Sequence, residues 1–201
     1  SRKLIKSQKN EELFKKEYFT NGNYSYEYIN GDPLKARIYT LKNGLKVYLS
    51  VYKDAPRIHT YIAVKAGGKS DPADATGLAH YLEHMVFKGT SKLGTKDFAK
   101  ENVEIMKIEA LYELYRTKTD SIERKKIYHQ IDSISGVAAS LAIAQEYDKA
   151  LEIIGATGTN AYTSFEQTVY TNEIPSNELE KWLEVESERF GELVLRLFHT
   201  E

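Results

Sequence analysis

Lys42-Asn43-Gly44 separates two β-rich runs, "ARIYTL" (36–41) and "LKVYLSV" (45–51). No other feature limits the fold as strongly. Asn and Gly tolerate positive φ, so the pair closes tight turns whose twist suits antiparallel neighbours. The two runs are therefore expected to form a hairpin. A third run, "RIHTYIAVKAG" (57–67), alternates Ile58, Thr60, Ile62 and Val64 against His59, Tyr61, Ala63 and Lys65. That is strand period, and Gly67-Gly68 ends it. Strands are thus expected across residues 24–66, with His59 as a plain surface or edge histidine.

The period then changes. "SDPADATG" (70–77) is loop chemistry, and from Thr76 to about Lys88 the residues Leu78, Leu82, Met85 and Val86 recur at helical spacing. "KGTSKLGT" (88–95) breaks that pattern with two glycines. Residues from about Asp97 to Ile154 read as almost all helix, with a capping-type start at Asp120-Ser121-Ile122-Glu123 and a stop at Gly155. Their Glu/Lys pairs and His129 read as solvated surface. "NAYTSFEQTVYTNEI" (160–174) reads as one strand, with Tyr162, Phe165 and Tyr170 in strand packing. Asn177 to about Phe198 reads as a long amphipathic helix packing through Leu179, Trp182, Leu183, Val185, Phe190 and Leu193, with His199 at its C-terminus. The order of elements predicts an α+β fold: a largely antiparallel sheet with helices packed on one face.

Composition narrows the function. The 201 residues allow one sizeable core. With 28 basic and 29 acidic residues the net charge is −1, so no global electrostatics favours nucleic acid. Arg2, Lys3, Lys6, Lys9, Lys15 and Lys16 read as a solvated basic arm. No apolar run approaches the ~18 residues of a membrane span. The absence of cysteine excludes disulfides, thiolate metal sites and thiol nucleophiles. The first residue is Ser1 and no signal-type apolar stretch follows it, which suggests a trimmed product.

"HYLEH" (80–84) carries the chemistry. On a helix, His80 and His84 stand one turn apart on one face, where two imidazoles can share a Zn²⁺ at ~2.0–2.1 Å each. Glu83 borders the same point without having to bind, and a carboxylate there can take a proton from a water acidified by the ion. Those parts make an amide hydrolase. With five histidines in the chain, chance produces this spacing in roughly one such composition in a hundred. The motif alone does not supply the third ligand that a catalytic zinc needs.

The residues around it widen the reading. "DPADATGLAHYLEHMVFKGT" (71–90) resembles the inverted zinc motif of the pitrilysin/insulinase-type metallopeptidases, which include mitochondrial processing peptidases. "LKNGLKVYLSV" (41–51) resembles the family's first hairpin, and "GTNAYTSFEQTVY" (158–170) its Asn-Ala-Tyr-Thr strand. The likeness covers residues 36–100 and 156–198, so about 101–155 looks like a helical insertion and 1–35 like an arm with a first strand. The resemblance implies a zinc endopeptidase for peptides or unfolded segments, with His80 and His84 as zinc ligands and Glu83 as general base. It implies that Asn160, Ala161, Tyr162 and Thr163 form an edge strand that holds the substrate backbone. It also implies a third ligand, a glutamate on a later helix. Glu201 matches either the glutamate that precedes that ligand or, approximately, the ligand itself; the first match is favoured, and it places the ligand beyond Glu201 and makes the chain an incomplete catalytic domain. A second homologous half or partner subunit would close the chamber, and a periplasmic or envelope location is expected by analogy, with a cytoplasmic one as the alternative. Two other readings stand beside this one. A non-catalytic core subunit of a peptidase complex usually lacks the motif that is present here. The S-ribosylhomocysteine lyase, similar in fold and metal motif, needs a cysteine that this chain lacks.

Overall fold

A computed structural model of the chain describes residues 14–201. Arg2, Lys3, Lys6 and Lys9 of the basic arm lie outside the described residues, whereas Lys15 and Lys16 are described; it is Lys16 that bears on the fold. It opens strand β1 (Lys16–Asn21) and pairs with Glu27 at 2.8 Å. The chain divides at Ala55–Pro56 into two compact units.

In the first unit, β1, β2 (Tyr24–Ile29), β3 (Arg37–Thr40) and β4 (Lys46–Leu49) form an antiparallel sheet in sequence order. Glu27 and Tyr28 face Ile38 and Arg37 across this sheet. The expected turn between β3 and β4 forms in a modified way. Gly44 takes the positive φ, +89°, while Asn43 does not. The Gly44 N–H donates to Leu41 O at 2.9 Å, and the Asn43 side chain accepts from the Leu45 N–H at 3.1 Å. This is a type I turn followed by a left-handed glycine. Phe19 stacks on Tyr26 at 4.9 Å, and Tyr26 meets Tyr39 at 5.3 Å, which joins three strands on one face.

The second unit holds β5 (Arg57–Val64), β6 (Thr157–Thr163) and β7 (Thr168–Pro175) in the order β5-β7-β6, all antiparallel. Residues 160–174 are therefore two strands and not one. The chain reverses where the Ser164 N–H donates to Gln167 O at 2.8 Å, a turn without the Gly, Pro or Asn that usually marks one. Tyr170 is buried in β7, but Tyr162 and Phe165 are exposed and do not pack as expected.

Five helices accompany this sheet: α1 (Leu78–Met85), α2 (Phe98–Thr117), α3 (Ser121–Leu141), α4 (Glu146–Ile153) and α5 (Leu179–Gly191). One core gathers Tyr147 and Leu151 of α4, Ile174 of β7 and Trp182 of α5, with Ile58 and Ile62 of β5 against it. A second lies between α2 and α3, around Ile108, Ile127, Ile131 and Ala138. Asp120 caps α3 as expected, accepting from the Ile122 and Glu123 N–H groups at 3.0 and 2.9 Å.

The last helix ends at Gly191, well before Phe198, and leaves Leu183, Phe190 and Leu193 partly exposed. Arg196 explains the departure. It is 1% exposed, chelates both carboxylate oxygens of Glu101 at 2.6 and 2.8 Å, and donates to the carbonyls of Lys88, Thr90 and Leu93. A bidentate pair with a partner 95 positions away outweighs one more helical turn. His199 consequently lies outside the helix and does not cap it.

Candidate metal centre

The first turn of α1 is built by Asp71. Gly77 precedes the helix at φ +90°, and the two Asp71 oxygens accept from the Gly77 and Ala79 N–H groups at 2.7 and 2.8 Å. A carboxylate at a helix N-terminus satisfies orphan donors and complements the dipole. Met85 is fully buried and anchors the other end in the core. Between these fixed ends the helix presents His80 and His84 to solvent and turns Glu83 inward, 7% exposed.

The two Nε2 atoms face each other at 3.2 Å, with ring planes crossed at 76°. Two lone pairs at that distance repel unless a proton or a cation lies between them. Two Zn–N bonds of ~2.0–2.1 Å at a near-tetrahedral angle separate the nitrogens by about 3.3 Å, so the pair fits a zinc ion. His84 Nδ1 lies 2.8 Å from Glu201 Oε1. A carboxylate only accepts, so the ring proton sits on Nδ1 and the Nε2 lone pair is free for a metal. Lys88 also holds Glu201. The Lys88 bond first, then the His84 bond, keeps the Glu201 carboxyl below the usual carboxylate range. Glu201 thus meets His84 on the side away from the point the two Nε2 atoms share. Among the described residues, no three His, Asp or Glu side chains converge as a cage for an ion.

Glu83 is gripped from β6. Thr163 Oγ1 donates to Glu83 Oε2 at 2.5 Å and also contacts Thr168 Oγ1, which donates to Ala66 O at 2.9 Å. The Thr163 bond engages Oε2 and leaves the other Glu83 oxygen without a hydrogen-bond partner among the described residues. β6 is an edge strand, since β7 lies on its one paired side. Asn160 and Tyr162 are exposed, whereas Ala161 and Thr163 are half-buried. His80, Glu83 and His84 therefore share one helix, and Thr163 links that helix to the strand. His59 and His129 stand apart, both exposed. Sequence reading had no signal for the Asp71 cap or for the Thr163–Glu83 bond, which spans 80 positions.

Residues 47–110 match the family description Insulinase (Peptidase family M16). An uncharacterized zinc protease of Rickettsia felis is 30% identical over 146 residues, which is 66% of this chain and 35% of that protein. A probable mitochondrial-processing peptidase subunit beta of Schizosaccharomyces pombe is 39% identical over 62 residues, 31% of this chain and 14% of that one. The crystal structure of a protease from Helicobacter pylori superposes with a TM-score of 0.52 at 26% identity, covering 80% of this chain and 27% of the other. The chain thus spans about a third or less of the length of these relatives.

Proposed function

Since the chain belongs to the insulinase/pitrilysin-type peptidases of family M16, we propose that it is the zinc-binding part of a larger metalloendopeptidase. The observation that carries this reading is the pair of Nε2 atoms 3.2 Å apart beside a buried carboxylate. His80 and His84 would hold the ion from one face of α1. Zinc, when bound there, supplies Lewis acidity toward a water and a scissile carbonyl. Glu83 takes the proton of the attacking water on its free oxygen, while Thr163 fixes the other. Such a base contributes about 10²–10⁴-fold. The open edge of β6, from Asn160 to Thr163, can pair with an extended peptide backbone and bring its carbonyl alongside α1. Peptides and unfolded segments suit that mode because a folded substrate has no free strand to offer. The third zinc ligand and a second half closing over the site would come from parts of the parent protein beyond these residues, in keeping with the share of its relatives that the chain spans.

The test is Glu83→Gln in the full-length zinc-loaded protein. Zinc content should stay at the wild-type level while cleavage of a quenched-fluorescent peptide falls by at least about 10²-fold. Near-normal cleavage by the variant would refute the assignment.

A further inference from the structure

Where α2 and α3 meet residues 197–201, a cluster of ionisable groups takes no part in the steps above. The His199 side chain is only 7% exposed. Its Nε2 lies 2.6 Å from Asp132 Oδ1 of α3, and its Nδ1 meets the Tyr112 hydroxyl of α2. The carboxylate can only accept, so the ring Nε2 carries a proton and donates to Asp132. Tyr128 packs edge-on at 5.2 Å. Phe198, which precedes His199 in sequence, inserts beside Ile108, Ile127, Ile131 and Ala138. The Phe198 carbonyl accepts from the Tyr81 hydroxyl of α1 at 2.5 Å, and Tyr81 follows His80 directly. Glu201 reaches His84 from the same segment. Leu197 holds a φ of +60°, a conformation that persists only where the surroundings impose it.

We propose that His199 is a positioning residue that locks residues 197–201 onto the α2–α3 hairpin, so that this segment straps the His80/His84 helix in place for peptide hydrolysis. The inference rests on the peptidase reading above for its catalytic consequence but not for its mechanical one. The hairpin then buttresses the centre, instead of standing on the surface as a passive insertion.

Two measurements on the full-length protein separate the two readings. The first is amide hydrogen exchange of residues 78–88, which needs no activity. His199→Ala should speed it by about tenfold, and Tyr112→Phe by a smaller factor, with the double variant no faster than His199→Ala. The second is steady-state peptide hydrolysis. His199→Ala should lower kcat about tenfold, as loss of an outer support of a metal ligand does, with KM within about twofold. His199→Gln, which keeps a donor toward Asp132, should recover at least half of that loss on a logarithmic scale. Unchanged exchange in a folded His199→Ala protein overturns the proposal, as does a loss confined to KM or one that Gln does not relieve. If His199→Ala does not fold, Tyr112→Phe decides alone by the same exchange measurement. A wild-type protein without zinc or hydrolysis would defeat the peptidase reading, and the exchange result would still judge the strap.

Discussion

Arg196→Met is the sharpest probe of how this unit holds together. The guanidinium and the Glu101 carboxylate are each 1% exposed, joined by two hydrogen bonds, and three more bonds run to the carbonyls of Lys88, Thr90 and Leu93. Methionine fills much of the volume but supplies no donor. It leaves Glu101 buried without a counter-charge and takes the guanidinium from three carbonyls, of which Leu93 O keeps the Thr90 N–H at 2.8 Å. Breaking one side of a buried ion pair costs ~3–5 kcal/mol. For a chain of this length each kcal/mol moves Tm by ~2–4 °C, so Tm should fall by about 6–20 °C. Thermal unfolding followed by circular dichroism at neutral pH measures this. The double variant Arg196→Met/Glu101→Leu should regain at least half of the loss, because it leaves no uncompensated charge. The reasoning fails if the single variant loses less than about 1 kcal/mol, a typical single-substitution effect. It also fails if the double variant is no more stable than the single.

Two smaller tests address the helix ends. Asp71→Ala removes both capping bonds of α1 and should cost about 1 kcal/mol, read as a lower denaturation midpoint in urea with an unchanged slope. For Asp97, the Lys100 side-chain bond first, then the Lys100 backbone N–H, holds the carboxyl below its ordinary value at the N-cap of α2. Its stabilisation is present above the ordinary carboxylate range and is lost as pH falls through the lowered value, so Asp97→Asn should flatten the acid side of the stability–pH curve while wild type declines there.

Much of the local structure could be read directly. The Asn43-Gly44 turn, the Asp120 cap and the alternation in β5 are written within a few residues of where they act, and so is the spacing that sets His80 over His84. The readings that missed concern long-range partners. The Ser164–Gln167 reversal is marked only by Ser164, whose hydroxyl bonds the Gln167 backbone, and it lacks the Gly, Pro or Asn that would have announced two strands. Residues 192–198 keep helical apolar spacing, yet Arg196 leaves the helix for Glu101. Tyr162 and Phe165 have strand chemistry but lie at an open edge, where no neighbour covers them. Glu83 reads as a polar residue beside two histidines, and nothing near it in the chain announces that Thr163 will bind it.

Those long-range partners also govern the geometry of the centre. An eight-residue helix such as α1 is too short to hold itself together in water, where isolated helices below ~12–15 residues are marginal. It is fixed instead by Asp71 at its start, by Met85 in the core, by Thr163 through Glu83, and by Tyr81 through Phe198. Just past its end, Gly89 adopts φ +98° with no room for a side chain, because a Cβ there would stand 2.1 Å from Leu93 O and 2.9 Å from Arg196 Nη1. The 3.2 Å between the two imidazoles is therefore a property of four remote contacts and one crowded loop. Two histidines at this spacing on a free peptide would share the sequence pattern, but nothing would hold their rings at a distance that suits one ion.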